Sequence, residues 1–244
     1  MHRFIIVALA VLAVTSCDRF PHNGLQIGGM LPLEENCSLD PSTDERQTRG
    51  LWDVAAPFGD LPRTPRFVVS PLFESYIISR ATDIQAEQNN LQVTNLEVTL
   101  QTPDGATLVL PETLPNPYRV TASANLEVAL DGSFSSSATF SIAIPSSYRQ
   151  AVADAVFGAG FNEMIVIIRA IGTTMGGFTQ KSAPFLWPVD LCIGCMDLCP
   201  TQADADDLSD LGLEGLLSSC LPGQDGYLYC QYEIRPPPDP MATP

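Results

Sequence analysis

The sequence predicts an all-β domain, an antiparallel β-sandwich of about seven strands with one short helix and a disulfide-rich C-terminal segment. Three observations lead to this prediction. Short apolar stretches, several with strict alternation, recur between polar turns from about residue 50 onward. Only one stretch has helical periodicity, and five of the seven cysteines lie after residue 190. Residues 50–200 suffice for one hydrophobic core.

The first strands are predicted between residues 51 and 100. Residues 51–54 form a short apolar stretch, and 66–79 form a long one that Pro71 interrupts. Proline donates no hydrogen bond to a neighbouring strand, so Pro71 indicates a bulge or an edge position. Residues 91–100 alternate between apolar and polar side chains, with a slip of one position at Thr94. This slip predicts an irregular register within an otherwise regular strand.

A β-hairpin is predicted in the middle of the chain. Residues 120–130 alternate cleanly, and Asp131 and Gly132 follow in the order typical of a two-residue hairpin turn. The apolar positions of 134–144 then supply the partner strand.

The one predicted helix follows this hairpin. Ser146 or Ser147 provides an N-cap, alanines and valines supply one apolar face, and Gly158 ends the helix. Residues 163–171 are rich in β-branched side chains and predict a buried central strand, and 178–191 predict the last strand. The number and spacing of these strands favour an immunoglobulin-like sandwich.

The first residues are typical of a signal for export. The apolar run 4–14 follows His2 and Arg3 and is shorter than the ~20 residues that span a bilayer. It ends in Val14-Thr15-Ser16-Cys17, which resembles the lipobox of bacterial lipoproteins. The resemblance implies cleavage before Cys17 and acylation of that cysteine. The expected location is then the bacterial cell envelope, on its periplasmic or cell-surface side, with the choice of membrane open. An ordinary signal peptide is the alternative.

Cysteine parity supports this expectation. Seven cysteines would leave one unpaired thiol in an exported protein, whereas lipidation of Cys17 leaves six. The six are expected to form three disulfides: Cys37, Cys192, Cys195, Cys199, Cys220 and Cys230. A Cys220–Cys230 bridge is favoured because these two residues flank an expected turn between short strands. Cys37 would then pair with one of the cysteines at 192, 195 and 199.

The stretch CIGCMDLCP, which contains Cys192, Cys195 and Cys199, allows other interpretations. An iron–sulfur loop would need one more cysteine in this run. A zinc site would need two further ligands from Cys220 and Cys230, at a wider spacing than usual. A thioredoxin-like motif would open a helix, whereas this one follows a strand. Disulfides are therefore favoured, and no metal or cofactor is expected.

Charge and histidine content exclude several functions. Removal of the signal peptide leaves 11 basic against 28 acidic residues, a formal charge of −17. Such a surface does not suit nucleic acid, so no nucleic-acid partner is expected. It also repels anionic headgroups, which leaves the lipid at Cys17 as the expected contact with the membrane. His22 is the one histidine after Cys17 and precedes the domain, so a Ser-His-acid triad has no base there and no enzyme is expected.

Weaker candidates for a site remain. Lys181 and Ser182 could form a Ser-Lys pair, and the acidic loop 204–214 could hold calcium, but solvated side chains are favoured in both places. The expected organisation is a signal peptide at 1–16, a tether at 17–49, the β-sandwich at 50–200, a cysteine-containing loop and short hairpin at 201–233, and a proline-rich tail at 234–244.

A second resemblance covers most of the exported chain. The stretch TTMGGFTQKSAPFLWPVDLCIGC, with CLPGQDGYLYC after it, resembles uncharacterised predicted lipoproteins of myxobacteria and their relatives. The upstream stretches FVVSPLFESYIISR and NNLQVTNLEVTL share this resemblance. It implies the same compartment and no particular activity. The predicted function is binding or scaffolding of an envelope protein or a glycan. The alternative is an exported metal- or thiol-dependent redox protein that uses the cysteines at 192, 195 and 199.

Overall fold

A computed structural model describes residues 24–34, 36–54, 66–77, 89–128, 134–195, 197–198, 220, 224 and 228–229. The described chain is mostly β-structure, with one short α-helix among these residues. The all-β prediction is therefore confirmed at this level. The strands are β1 Leu25–Met30, β2 Gly50–Asp53, β3 Phe67–Val69, β4 Pro71–Ser75, β5 Leu91–Gln101, β6 Tyr118–Leu126, β7 Ser135–Ala138, β8 Ser141–Ile144, β9 Glu163–Thr174, β10 Thr179–Lys181, β11 Phe185–Cys192, β12 Asp197–Leu198 and β13 Leu228–Tyr229. The helix α1 is Arg149–Gly158, and a 3₁₀ turn at Ser146–Tyr148 precedes it.

The largest sheet has the order β2-β11-β9-β5-β6, with β10 also paired to β9. It curls like half of a barrel. Most of its pairs are antiparallel, but β2 lies parallel to β11. The antiparallel prediction is therefore wrong for this edge of the sheet.

Three smaller sheets complete the described strands. One has the order β1-β4-β7, one pairs β3 with β8, and both are antiparallel. In the third, β12 lies parallel to β13. The short hairpin predicted within 201–233 lies largely outside the described residues.

Alternation along the strands builds one hydrophobic core. In β9 every second side chain from Met164 to Thr174 is buried, and β5 follows the same rule except across its irregular register at Thr94. Strands of the smaller sheets and α1 bury residues in the same cluster. The largest of the fully buried side chains are Trp52, Phe67, Phe73, Leu25, Met30, Leu31 and Leu72. The prediction that 163–171 is a central strand is confirmed, since β9 lies between β11 and β5.

The predicted hairpin of 120–130 with 134–144 is wrong. Strand β6 pairs with β5, whereas β7 pairs with β4 and β8 pairs with β3. Alternation reveals which face of a strand is buried but does not identify its partner. The turn residues Asp131 and Gly132 lie outside the described residues.

The expected tether contains a core strand. Strand β1 pairs with β4, and Leu25, Met30 and Leu31 are fully buried. The stretch LQIGGM contains two glycines and little alternation, so no strand was predicted from it. Residues 25–31 therefore belong to the folded domain and not to a spacer.

Two other predicted elements are corrected in detail. The run 66–79 is divided at Ser70, because β3 and β4 on either side of it belong to different sheets. The helix begins at Arg149, and no side chain caps its N-terminus, although Val152 and Val156 form the expected buried face.

Candidate functional site

The Cys37–Cys220 disulfide joins two distant parts of the chain. The Cα atoms of its two residues are 5.4 Å apart and 183 positions apart in sequence. The favoured Cys220–Cys230 bridge is therefore wrong, as is the pairing of Cys37 with Cys192, Cys195 or Cys199. The apparent turn between Cys220 and Cys230 suggested a local bridge, but the partner of Cys220 comes from before the first predicted strand.

A second disulfide closes the end of β11. Cys192 and Cys195 are bonded, with their Cα atoms 5.8 Å apart. Cys192 is the last residue of β11 and is half-buried, whereas Cys195 is exposed. Gly194 makes the turn between them with a φ of 68°, in the left-handed region that favours glycine. The bridge thus joins a half-buried residue at the end of the sheet to an exposed one.

A buried carboxylate lies beside this bridge. The parallel register of β2 and β11 pairs Asp53 with Cys192 and Trp52 with Leu191. Trp52 enters the core, so Asp53 lies on the other face of the sheet, under the CIGC turn. Asp53 is 1 % exposed, and its Oδ1 accepts a hydrogen bond of 2.8 Å from the Gly194 N–H. Its carboxylate and the two sulfur atoms lie within 4.8 Å of one another.

This cluster bears on the metal interpretations. A carboxylate oxygen of Asp53 and the Sγ atoms of Cys192 and Cys195 are close enough to bind one ion if the disulfide is reduced. The zinc set weighed from the sequence used Cys220, which the structure bonds to Cys37 instead. With both sulfur atoms of the CIGC motif in a disulfide, the arrangement suits thiol–disulfide chemistry better than metal binding.

A cavity of about 310 Å³ lies next to the Cys37–Cys220 bridge. It is lined by Leu33, Cys37, Arg66, Val68, Phe140, Ser141, Ile142 and Cys220. We call it the Arg66 cavity, after the one charged residue in this lining. Val68 also donates its backbone N–H to Gln224 Oε1 at 2.7 Å, and Gln224 Nε2 donates to the Val68 carbonyl. The amide of Gln224 thus occupies the backbone groups of Val68 as a neighbouring strand would.

Lys181 and Ser182 do not form a catalytic pair. Lys181 Nζ lies 2.7 Å from Glu97 Oε1, and the Ser182 hydroxyl is buried. That hydroxyl accepts a hydrogen bond from the Ala170 N–H and donates one to the Ala183 carbonyl. Both side chains therefore have structural partners.

Several predicted site residues lie outside the described residues: Cys17, His22, Cys199, Cys230 and the acidic loop 204–214. The two observed bridges use four of the six cysteines expected to pair.

Asp53 and Arg66 were not identified from the sequence. Asp53 follows a tryptophan in a short strand, which gives no sign that it ends under a cysteine bridge. Its position depends on the parallel pairing of β2 with β11, which joins residues far apart in the chain. Arg66 belongs to no recognisable sequence motif, and only the structure shows that it lines a cavity.

No protein-family model matches the chain, and no curated protein matches it significantly. The site must therefore be interpreted from its own geometry. Among the described residues, no helix is long and apolar enough to cross a bilayer.

Proposed function

We propose that this chain is a lipid-anchored cell-envelope protein whose β-domain binds another envelope protein. The anchor is the lipid expected on Cys17, and the strands on either side of the common core make an immunoglobulin-like sandwich. The observation that carries the binding role is the Arg66 cavity. The Cys37–Cys220 bridge at its wall supports an oxidising compartment, because such bridges persist mainly in exported proteins.

The lining of the cavity favours a protein partner over a glycan. Leu33, Val68, Phe140 and Ile142 offer apolar contacts, whereas Arg66 supplies the one charge. A sugar needs several hydrogen-bonding groups around it, because each hydroxyl that loses water must find another partner. A protein segment with an apolar side chain next to a carboxylate matches the lining better, since Arg66 can bind the carboxylate with two hydrogen bonds.

The anchor is tested by fractionating cells that make the chain with and without Cys17→Ser. The unchanged chain should incorporate labelled palmitate and sediment with membranes. The variant should take up no label and should appear in the soluble envelope fraction, because it lacks the acyl chains. A variant that stays with membranes would disprove the anchor.

The binding role is tested by placing a photoreactive amino acid at position 142, which lines the cavity, in the anchored chain. Irradiation of whole cells should give one discrete protein adduct at this position. The matched control is position 109, which is 88 % exposed and does not line the cavity. Equal adducts at both positions, or binding to isolated peptidoglycan without any adduct, would contradict a protein partner in the cavity.

A further inference from the structure

We propose that Cys192 and Cys195, together with Asp53, form a thiol–disulfide exchange site that accepts two electrons from a dithiol of another exported protein. The juxtaposition of an exposed cysteine, a half-buried cysteine bonded to it and a buried carboxylate carries this inference. It goes beyond the binding role of the Arg66 cavity and does not depend on the lipid anchor.

The bridge contributes little to holding the fold together. It closes a loop of three positions in sequence, whereas Cys37–Cys220 closes one of 183. A disulfide restricts the unfolded chain less when its loop is shorter, so the CIGC bridge is the weaker brace of the two. Exposed bridges are also the ones that exchange readily with thiols in solution. Cys195 meets this condition, because its side chain is exposed at the end of the sheet.

The Asp53 carboxylate is placed to exchange a proton with Cys192. The two residues are register partners in β2 and β11, and the turn residue Gly194 holds the carboxylate through its N–H. Burial of a carboxylate costs free energy unless hydrogen bonds or charges compensate it. The hydrogen bond from the Gly194 N–H provides part of this compensation and fixes the carboxylate beside the bridge. A group that can hold a proton next to the half-buried sulfur allows that sulfur to leave as a thiolate and to be protonated in place.

Two charged pairs surround this end of the sheet. Arg49, just before β2, lies 2.7 Å from Asp190 of β11 and 3.9 Å from Glu163 of β9. One guanidinium faces two carboxylates here, so these three side chains leave a net negative charge at this end of the sheet. Asp53 is the carboxylate of this end that lies within the sulfur cluster.

The exchange proceeds in two balanced steps. A thiolate of the donor attacks Cys195 Sγ, the bond between the two sulfurs breaks, and Cys192 leaves as a thiolate that receives a proton through Asp53. The second donor thiol then loses its proton and attacks the donor sulfur of the mixed disulfide, so that Cys195 leaves and is protonated. The donor dithiol is oxidised to a disulfide, and the Cys192–Cys195 disulfide is reduced to two thiols.

Ile193 indicates the kind of donor. It lies between the two cysteines and is 72 % exposed. An exposed isoleucine beside a reactive sulfur offers an apolar contact to the segment that carries the attacking thiol. A cysteine pair next to apolar residues, as found in an incompletely folded exported protein, fits this surface better than a small hydrophilic thiol.

The test measures which bridge is reduced first and how fast. The chain as cells export it is purified without reductant, in detergent where it is membrane-bound. It is then treated with limiting dithiothreitol, quenched with acid, alkylated and mapped by peptide mass. We expect Cys192 and Cys195 to be labelled while Cys37 and Cys220 remain bonded. Asp53→Asn keeps an oxygen for the Gly194 N–H but cannot hold the proton, so it should slow this reduction about tenfold or more.

The matched control is Asp154→Asn, which makes the same change on α1 and should leave the rate unaltered. The ratio of the wild-type rate to the Asp53→Asn rate should also vary with pH, which a purely structural role of Asp53 would not produce. Reduction of Cys37–Cys220 first or simultaneously, an Asp53→Asn rate and pH profile equal to wild type, or metal-bound thiols at 192 and 195 in the native chain would overturn the proposal. The order of reduction decides the matter in the unaltered chain even if Asp53→Asn does not fold.

Discussion

Glu97 is held by basic side chains on the outer face of the largest sheet. Lys181 Nζ lies 2.7 Å and Arg119 Nη2 lies 3.9 Å from its carboxylate oxygens. The hydrogen bond from Lys181 lowers the pKa of Glu97, and the charges of Lys181, Arg119 and Arg169 add to this effect against the opposing effect of burial. A carboxylate whose pKa is lowered by folding stabilises the folded state only while it is ionised.

The resulting pH dependence can be measured with Glu97→Gln. Above the ordinary carboxyl pKa of 4.5, the variant should lose up to about 1 kcal/mol of unfolding free energy, because partly exposed ion pairs contribute no more than this. As the pH falls through the lowered pKa of Glu97, the wild type should lose this advantage and the two chains should converge. Urea unfolding at pH 7 and pH 3 measures both differences. Glu112→Gln, at an exposed position, is the control, and a gap that widens in acid would contradict the prediction.

At the scale of single residues, the sequence predicts what a side chain can do better than it predicts where that side chain lies in the fold. It correctly indicated that cysteines would pair with one another. It did not reveal Asp53, because a carboxylate becomes informative only once its neighbours across the sheet are known. Residue type limits what a side chain can do, whereas the fold decides which side chains meet.

Among the elements, β5 and β9 show how a local irregularity is accommodated. The slip predicted at Thr94 is confirmed as a shift in register between Val93 and Asn95. Gly172 of β9 lies opposite Val93 at this point. A Cβ at Gly172 would stand 2.9 Å from the Gln92 carbonyl oxygen, closer than real Cβ atoms come to other heavy atoms.

Gly172→Ala should therefore destabilise the sheet. Backbone cannot yield as a flexible side chain does, so the expected loss of unfolding free energy is about 1–3 kcal/mol, as for other overpacked sites. Gly158→Ala is the matched control, since a Cβ there meets nothing within 4 Å at the end of α1. It should be neutral or slightly stabilising. Thermal unfolding of the two variants distinguishes the cases, and equal stabilities would show that the sheet relaxes around the added methyl group.

Strands were easier to predict from the sequence than their partners. The alternation of β5, β6 and β9 identifies each strand because one face is buried along its whole length. The partner of a strand depends on how the whole core packs, which alternation does not reveal. Strand β7 pairs with β4 and not with β6, the strand that precedes it in the chain. Strand β1 was missed because its glycines and the register shift between Ile27 and Gly29 interrupt the alternation.

At the scale of the whole molecule, the described chain is closed by contacts between its early and late parts. Cys37 is bonded to Cys220, and Gln224 binds the backbone of Val68. Strand β2, from the early part of the chain, pairs in parallel with β11, from its late part. Contacts of such separation leave no local pattern in the sequence, which explains why the bridge of Cys220 was assigned to the wrong partner.

The two disulfides should therefore contribute different amounts to the free energy of unfolding. Replacing both Cys37 and Cys220 with serine should lower the free energy of unfolding by up to about 5 kcal/mol, because the unfolded chain regains the freedom of a very long loop. Replacing both Cys192 and Cys195 should cost about 2 kcal/mol or less, since their loop is short. The second pair of substitutions serves as the control for the first, because each removes one bridge and adds two hydroxyl groups. Urea unfolding of both variants measures the difference; equal losses would mean that Cys37–Cys220 does not constrain the unfolded chain and that the domain is held closed by its core alone.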